Sequence, residues 1–127
     1  MTAVAKIEVQ HGKLLDITDF VQSFLNDSGI VTITVMDSQA SVFLSSAGRE
    51  TDKDICADME RAFPARCSYV SQKQPTDTWA TVISAVMGVQ QSIPYRKGKL
   101  LLGSNQSVHL LYLGHGDSVQ LCLMCEE

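Results

Sequence analysis

The stretch from Gly88 to Leu113 constrains the fold more than any other part of the chain. Its pattern predicts a strand, a tight basic turn at Arg96-Lys97-Gly98-Lys99, a short strand, a polar corner and a long apolar strand. Strands joined by such short turns pair antiparallel, because a parallel pair needs a crossover of a dozen or more residues. We therefore expect an antiparallel sheet in this half of the chain.

The first third of the chain predicts two strands, a helix and a third strand. Apolar and polar residues alternate over residues 5–10, and a turn at His11-Gly12-Lys13 leads to a second strand over residues 14–17. A helix is expected to begin at Thr18 or Asp19 and to end at Gly29, which suits the left-handed position after a helix. Residues 30–35 are rich in β-branched side chains and predict a strand.

The middle of the chain predicts a strand followed by two helices. A strand over residues 40–44 and a polar loop lead to a helix that opens at Asp52 and stops before Pro64. Residues 65–70 are expected to be extended, and residues 72–76 to form a loop. A third helix, capped by Thr76 or Asp77 and ended by Gly88, carries Trp79 on its packing face.

The last strand is apolar on both faces. Residues 114–117 predict a hairpin turn, and Val119, Leu121, Leu123 and Cys125 then form one face of the strand. Such a strand is central in its sheet or lies against another subunit. The order of elements indicates one domain over residues 1–127 of the α+β class, with an antiparallel β-sandwich-like core and about three helices packed outside it.

The composition excludes some classes of function. The net charge of −4 and the pI near 5.2 argue against a nucleic-acid partner, which would need clustered basic charge. No stretch approaches the length of a membrane helix, and the N-terminus has no signal-peptide block, so we expect a cytoplasmic protein without a membrane partner. Charged residues are 19% of the chain and apolar residues 45%, which favours a homo-oligomer with a buried apolar interface.

Cys122 and Cys125 match a C-x-x-C pattern, but they lie in the predicted last strand. Residues three apart on a strand point to opposite faces, whereas a metal or redox motif needs a turn or a helix start. We therefore interpret both as ordinary core or interface cysteines, and expect all four cysteines of the chain to be reduced thiols.

The chain also resembles a known family over nearly its whole length. The YjbQ-like family (secondary thiamine-phosphate synthase family) has a similar run, ending in Gly-Thr-Trp-Gln, at Gly88, Ser92-Ile93-Pro94, Gly98-Lys99, Leu102-Gly103 and Gln106. Asp16-Ile17-Thr18-Asp19 with Val21 is similar to the family's entry to its first helix. The resemblance implies the YjbQ-like fold, a trimer, and chemistry on thiamine phosphate or another small phosphorylated ligand.

The scaffold residues of the family are kept, but its polar residues are replaced. Where the family has His-Thr-Thr/Ser-Ala-Ser, Ala40-Ser41 is kept and Asp37 stands at the histidine; Ser45-Ser46 replaces Asn-Glu. Where the family has Tyr-x-His, Tyr69 is kept and Ser71 takes the histidine position. The family's Ala-His-Ile corresponds to Ala80-Thr81-Val82, and its Gly-Thr-Trp-Gln to Gly103-Ser104-Asn105-Gln106.

These replacements remove the family's metal ligands. Asp37, Ser71 and Thr81 offer one carboxylate and two hydroxyls in place of three imidazoles, and neutral hydroxyls are poor ligands for zinc. We therefore expect no bound metal and no cofactor. The resemblance leaves a candidate pocket of Asp37, Ser41, Ser71, Thr81, Asn105 and Gln106.

Two further features have competing interpretations. Arg96, Lys97 and Lys99 are candidate phosphate-binding residues, although a solvated hairpin tip explains them as well. We interpret His11 and His115 as solvated turn residues, and His109 as a hydrogen-bonded strand residue.

Two functional hypotheses follow. In the first, the chain is a divergent YjbQ-like protein without the family's histidine site, which acts as a non-catalytic or small-ligand-binding oligomer. In the second, it is an enzyme similar to secondary thiamine-phosphate synthase, with Asp37 as general base and Ser41, Asn105 and Gln106 orienting a small phosphorylated substrate. The simultaneous loss of several polar groups favours the first hypothesis. An exposed or helix-capping Asp37 would favour it further.

Overall fold

The computed structural model describes residues 1–65, 69–70 and 75–127. In chain order the elements are β1 (Thr2–Glu8), β2 (Lys13–Asp16), α1 (Thr18–Gln22), β3 (Gly29–Val35), β4 (Ala40–Ser46), α2 (Arg49–Ala62), α3 (Pro75–Met87), β5 (Gln90–Arg96), β6 (Lys99–Leu100), β7 (Gln106–Tyr112) and β8 (Ser118–Glu126). The predictions for residues 66–68 and 71–74, which include Cys67 and the candidate Ser71, lie outside the described residues.

The strands form two antiparallel sheets. The five-stranded sheet has the order β1-β8-β3-β5-β6, and the three-stranded sheet has the order β2-β7-β4. Strand β8 lies between β1 and β3, and this central position in the sheet is the one expected for a strand that is apolar on both faces. The predicted α+β class with a sandwich-like antiparallel core is confirmed.

The main core lies between the two sheets. Val31, Ile33 and Leu121 from the five-stranded sheet pack in one apolar cluster with Val42 and Leu110 from the three-stranded sheet. All five are fully buried. Their alternation along each strand places every second residue in the core, and each buried branched side chain contributes roughly 1.5–3 kcal/mol to folding. Helix α1 also packs on this core.

A second, smaller core lies on the other face of the three-stranded sheet. Phe43 and Leu111 from the strands contact Ala80 and Ile83 of α3, and α2 packs against the same cluster with Ile55 and Met59. Helices α2 and α3 therefore cover the side of the three-stranded sheet that faces away from the other sheet. No helix in the described part of the chain is long and apolar enough to cross a membrane.

The first helix is shorter than its pattern predicts. It ends at Gln22, and the left-handed position before β3 is taken by Asp27, with φ of 55°, instead of Gly29. Gly29 begins β3 and lies so close to β8 that an added Cβ would clash with the carbonyl oxygen of Glu126. The glycine is therefore required by the close approach of two strands, and its interpretation as a helix terminator is wrong.

The second helix begins one turn earlier than predicted. Gly48 is its N-cap residue, and no side chain caps it. Asp52, predicted as the opening residue, instead lies inside the helix, where its N–H donates to the carbonyl of Gly48 at 3.0 Å. Gly88 follows α3 with φ of 92°, and its N–H donates to Ser84, as expected for a helix terminator.

Candidate functional site

The helix-facing side of the three-stranded sheet carries several buried polar residues. Alternate residues of β4 and β7 point to this side, among them Ser41, Ser107 and His109, and all three are buried. The opposite side of the same strands belongs to the main apolar core. The polar residues gather at the two ends of this helix-covered side.

At one end, Gln39 connects the turn at Asp37 to Asp77 and Thr81 of α3. The backbone N–H of Gln39 donates to Asp37 Oδ1 at 2.7 Å. The Gln39 side-chain amide and the Thr81 hydroxyl both donate to the carbonyl oxygen of Asp77, at 3.3 and 3.1 Å. The structure thus brings these two candidates into one region, where each already makes a hydrogen bond to the backbone.

Two histidines lie at this same end. His115 Nε2 is 3.3 Å from Asp77 Oδ1, and the rings of His115 and His11 stack with their centroids 5.3 Å apart. His11 Nδ1 also lies 3.1 Å from the carbonyl oxygen of Gly114. Both side chains are exposed, as predicted for turn residues, but sequence reasoning missed that they converge. The pairing of β2 with β7, which brings the two turns together, is the signal that could have found them.

The other candidates do not join this group. Asn105 and Gln106 lie beside Ser46, at the far end of β4, because β4 pairs with β7 in that register. The length of β4 separates them from Asp37 by roughly 20 Å. Gln106 Oε1 accepts the N–H of Gly103 at 3.0 Å and so closes the local turn. Ser41 is buried within β4, opposite Leu111.

His109 and Asp52 form a second polar group, under helix α2. His109 Nε2 is 3.9 Å from Asp52 Oδ1, which is too long for a hydrogen bond. Neither ring nitrogen of His109 nor this carboxylate oxygen has a hydrogen-bond partner among the described residues. Phe43 packs edge-on against the imidazole, with centroids 6.2 Å apart. The prediction of a hydrogen-bonded His109 is therefore wrong, and the approach of Asp52 gave no signal in the sequence.

Asp16 lies next to His109 on the neighbouring strand. Burial raises the pKa of its carboxyl, but hydrogen bonds from Thr18 and Ser107, together with the charge of His109, lower the pKa more. The result is a pKa below the ordinary 3.8. The Thr18 N–H donates to Asp16 Oδ1 at 3.0 Å and helps to hold the entry to α1.

Cys56 lies one turn after Asp52 on α2. Burial raises the pKa of its thiol above the ordinary 9.0, and the carboxylates of Asp52 and Glu60 raise it further. Little thiolate is present at neutral pH, so Cys56 is poorly suited to act as a nucleophile. Cys122 is half-buried and Cys125 is buried, on opposite faces of β8, in line with their interpretation as ordinary strand cysteines.

The basic turn lies far from Asp37. Lys97 and Gly98 both have positive φ, 52° and 75°, as a tight two-residue hairpin turn requires. The Gly98 N–H donates to Asp27 at 2.8 Å, which places the turn at the start of β3, whereas Asp37 follows the end of that strand. Arg96, Lys97 and Lys99 are exposed. The turn and the Asp37 region are therefore separate features of one chain.

Asp37 and Thr81, the two described candidates that the resemblance aligned with histidines, are poorly suited to hold a metal. Asp37 already accepts a backbone N–H, and the Thr81 hydroxyl donates to a backbone carbonyl. Among the described residues, no group of three or more His, Cys, Asp or Glu side chains could hold a metal ion. Asp37 and Thr81 are therefore backbone-bonded residues in this fold, and their donor atoms are poorly suited to replace two imidazoles.

The fold is shared with solved proteins whose function is not known. A YbjQ-like protein of unknown function from Sulfolobus solfataricus P2 aligns with a TM-score of 0.85 and 21% identity, over 98% of this chain and 95% of that chain. A conserved hypothetical protein from Thermus thermophilus gives 0.88 and 17%, over 98% and 99%. A conserved protein of the YjbQ/UPF0047 family from Clostridium acetobutylicum gives 0.84 and 18%, over 98% and 99%. At such identities the likeness shows the fold alone.

The family is shown by the sequence itself. The family model described as UPF0047 protein YjbQ-like matches residues 4–119, and the chain belongs to this family. No curated protein matches the chain.

Proposed function

We propose that the chain is a non-catalytic, oligomeric member of the YjbQ-like family that binds a small ligand in the cytoplasm. One observation carries the proposal. Asp37 and Thr81, which the family resemblance aligns with two histidines, are both engaged in hydrogen bonds to the backbone. The Asp37 carboxylate closes a turn onto Gln39, which gives this residue a structural role that needs no substrate.

The outer face of the five-stranded sheet supports the oligomer. Val4, Ile30 and Met124 are exposed there by 57%, 48% and 42%. They lie on neighbouring strands, beside Thr32 and Ser92, and the charged residues Lys6 and Glu126 lie at the margin of this patch. An exposed apolar surface on a sheet is typical of an interaction site. We propose that this face joins three copies, as the family resemblance implies.

The basic turn is the proposed contact for the ligand. Arg96, Lys97 and Lys99 make no ion pair with a described residue, so their charges are free to meet a phosphate group. A small phosphorylated compound is the ligand class that this turn and the family resemblance favour together.

The test of the first part of the proposal is metal analysis before and after restoring histidines. The purified protein is expected to hold no stoichiometric transition metal after dialysis. The triple variant Asp37→His, Ser71→His, Thr81→His is expected to bind one zinc ion per chain, whereas each single variant is not, because one imidazole cannot hold zinc against water. One zinc per wild-type chain would overturn the proposal. A folded triple variant without zinc binding would show that these positions do not converge.

A further inference from the structure

Two free strand edges face each other across a groove. Among the described residues, β1 pairs only with β8 and β2 only with β7, so each is the edge strand of its sheet. A groove of about 650 Å³ lies between these edges, lined in part by Val9 and Leu15. On the other side, the sheets come together where the Val42 N–H donates to Gly88 at 3.0 Å. The seam between β1 and β2 is therefore one place where the sandwich is open in the part of the chain that is described.

The hydrogen bonds of β1 show which backbone groups remain free at this seam. Met1 and Cys125 exchange both backbone hydrogen bonds, at 3.1 and 2.8 Å, and Val9 donates to Asp117 at 3.0 Å. Partners alternate along an antiparallel pair, so the odd-numbered residues of β1 bond to β8. The N–H and C=O groups of the even-numbered residues, including Lys6 and Glu8, point away from β8 to the free edge.

Lys6 and Glu8 give this edge a particular charge pattern. Both side chains are exposed, and neither makes an ion pair with a described residue. They are two residues apart, so they lie on the same face of the strand. In an antiparallel pairing of β1 with a copy of itself, centred on Ile7, each Lys6 stands opposite a Glu8 of the second copy. A pairing centred on Lys6 would instead place two lysines opposite each other.

We infer that β1 pairs antiparallel with β1 of a second copy of this chain around a two-fold axis at Ile7. Four further backbone groups per strand, those of Lys6 and Glu8, then gain partners, and two cross-strand ion pairs form. The two five-stranded sheets become one continuous sheet, and the strand of the second copy fills the groove above Val9 and Leu15. Such a contact is isologous, because the same surface is used by both copies.

Charges on an edge strand usually prevent association, because like charges meet when two copies approach. In this strand, the order of the positive and the negative residue decides whether two copies attract or repel each other. Lys6 and Glu8 are self-complementary in the register centred on Ile7, and this register also pairs the backbone groups that β8 leaves free. A charged edge of this kind therefore selects one register of self-association and disfavours the others.

Charge reversal at these two residues tests the contact. Lys6→Glu and Glu8→Lys each place like charges opposite each other twice, and each is expected to halve the mass measured by light scattering at about 10 µM protein. The double variant K6E/E8K restores the opposite charges and is expected to recover the wild-type mass. An equimolar mixture of the two single variants is also expected to recover it, because each Glu of one chain then meets a Lys of the other. The control variant Lys53→Glu makes the same charge change as Lys6→Glu on the exposed side of α2 and should leave the mass unchanged.

Three results would overturn the inference. They are a monomeric wild-type protein, single variants that keep the wild-type mass, and a double variant that stays at half mass. If the wild-type protein is a monomer and binds a foreign peptide along β1, the inference is also overturned, because the occupant of this edge is then not a second copy. The three-fold contact proposed for the outer sheet face can be distinguished from this one. Loss of the three-fold contact divides the mass by three, and K6E still halves the mass that remains. Circular dichroism of each variant confirms that it is folded.

Discussion

The two faces of the three-stranded sheet are built in opposite ways. The face toward the other sheet is apolar: Val42, Val108 and Leu110 are all fully buried there. The face toward helices α2 and α3 carries Ser107 and His109 among its apolar residues. Both faces belong to the same strands, so a shift of one residue in register would exchange them completely.

The difference shows where this fold accepts polar groups. Between two sheets, side chains interdigitate and no water remains to solvate a polar atom, so polar residues there would be costly. Under the helices, polar groups reach the margins of the layer. Asp52, for example, keeps 23% of its side-chain surface exposed while it approaches the buried His109. Polar chemistry can therefore vary on the helix-covered face without disturbing the main core.

The largest effect is expected from Leu110→Ala on the apolar face. Leu110 is fully buried in the main core, and its truncation leaves a cavity that the packed sheets cannot fill. The free energy of unfolding is expected to fall by about 2–5 kcal/mol in urea denaturation. Leu101→Ala is the matched control, since Leu101 is 48% exposed and should change stability by less than about 0.5 kcal/mol. A small loss for Leu110→Ala would mean that this face is loosely packed.

A smaller effect of opposite sign is expected from His109→Leu on the helix-covered face. This change replaces a buried side chain whose two ring nitrogens lack hydrogen-bond partners among the described residues by an apolar one. The free energy of unfolding is expected to stay equal or to rise by about 1 kcal/mol, because an unpaired buried polar group is costly. Denaturation of Ser107→Ala provides the comparison on the same strand face. A loss above about 2 kcal/mol for His109→Leu would show that the imidazole is stabilising where it lies.

The smallest effect on stability is expected from Asp16→Asn, and it depends on pH. The folded-state pKa of Asp16 is lowered, so the carboxylate stabilises the fold above the ordinary value of 3.8, and this contribution is lost as pH falls through the lower folded value. Asp16→Asn is therefore expected to be less stable than the wild type at pH 7, by less than about 1 kcal/mol because the side chain is exposed. The two proteins should converge at pH values well below 3.8. Urea denaturation at both pH values measures this difference, and an equal gap at both would contradict it.

Much of the fold was predictable because alternation and turn chemistry are local. Neighbouring residues are enough to predict the strands from Ile30 and from Ala40, the hairpin turn at Lys97-Gly98 and the end of α3 at Gly88. The end of α1 did not, because Gly29 is fixed by its contact with Glu126, nearly a hundred residues later. Long-range strand contacts of this kind leave no local pattern.

The candidate site was less predictable for the same reason. The family resemblance pointed to Asp37 and Thr81, which do lie in one region, but also to Asn105 and Gln106, which lie at the far end of β4. Composition and spacing gave no hint that His115 would approach Asp77, or that His109 would lie under Asp52. These approaches depend on how helices cover a sheet, which the order of elements does not specify.

The position of Trp79 gives the chain a built-in optical signal. It is the only tryptophan, and its indole N–H donates to the carbonyl of Phe63, which directly follows α2. Its emission wavelength therefore depends on whether the end of α2 is docked against α3, because release of this contact would expose the ring to water. Tryptophan fluorescence then follows the helix layer, while the far-ultraviolet circular dichroism of the same sample also includes the sheets. A difference between the two unfolding curves would measure how independently the helices leave the β-sandwich.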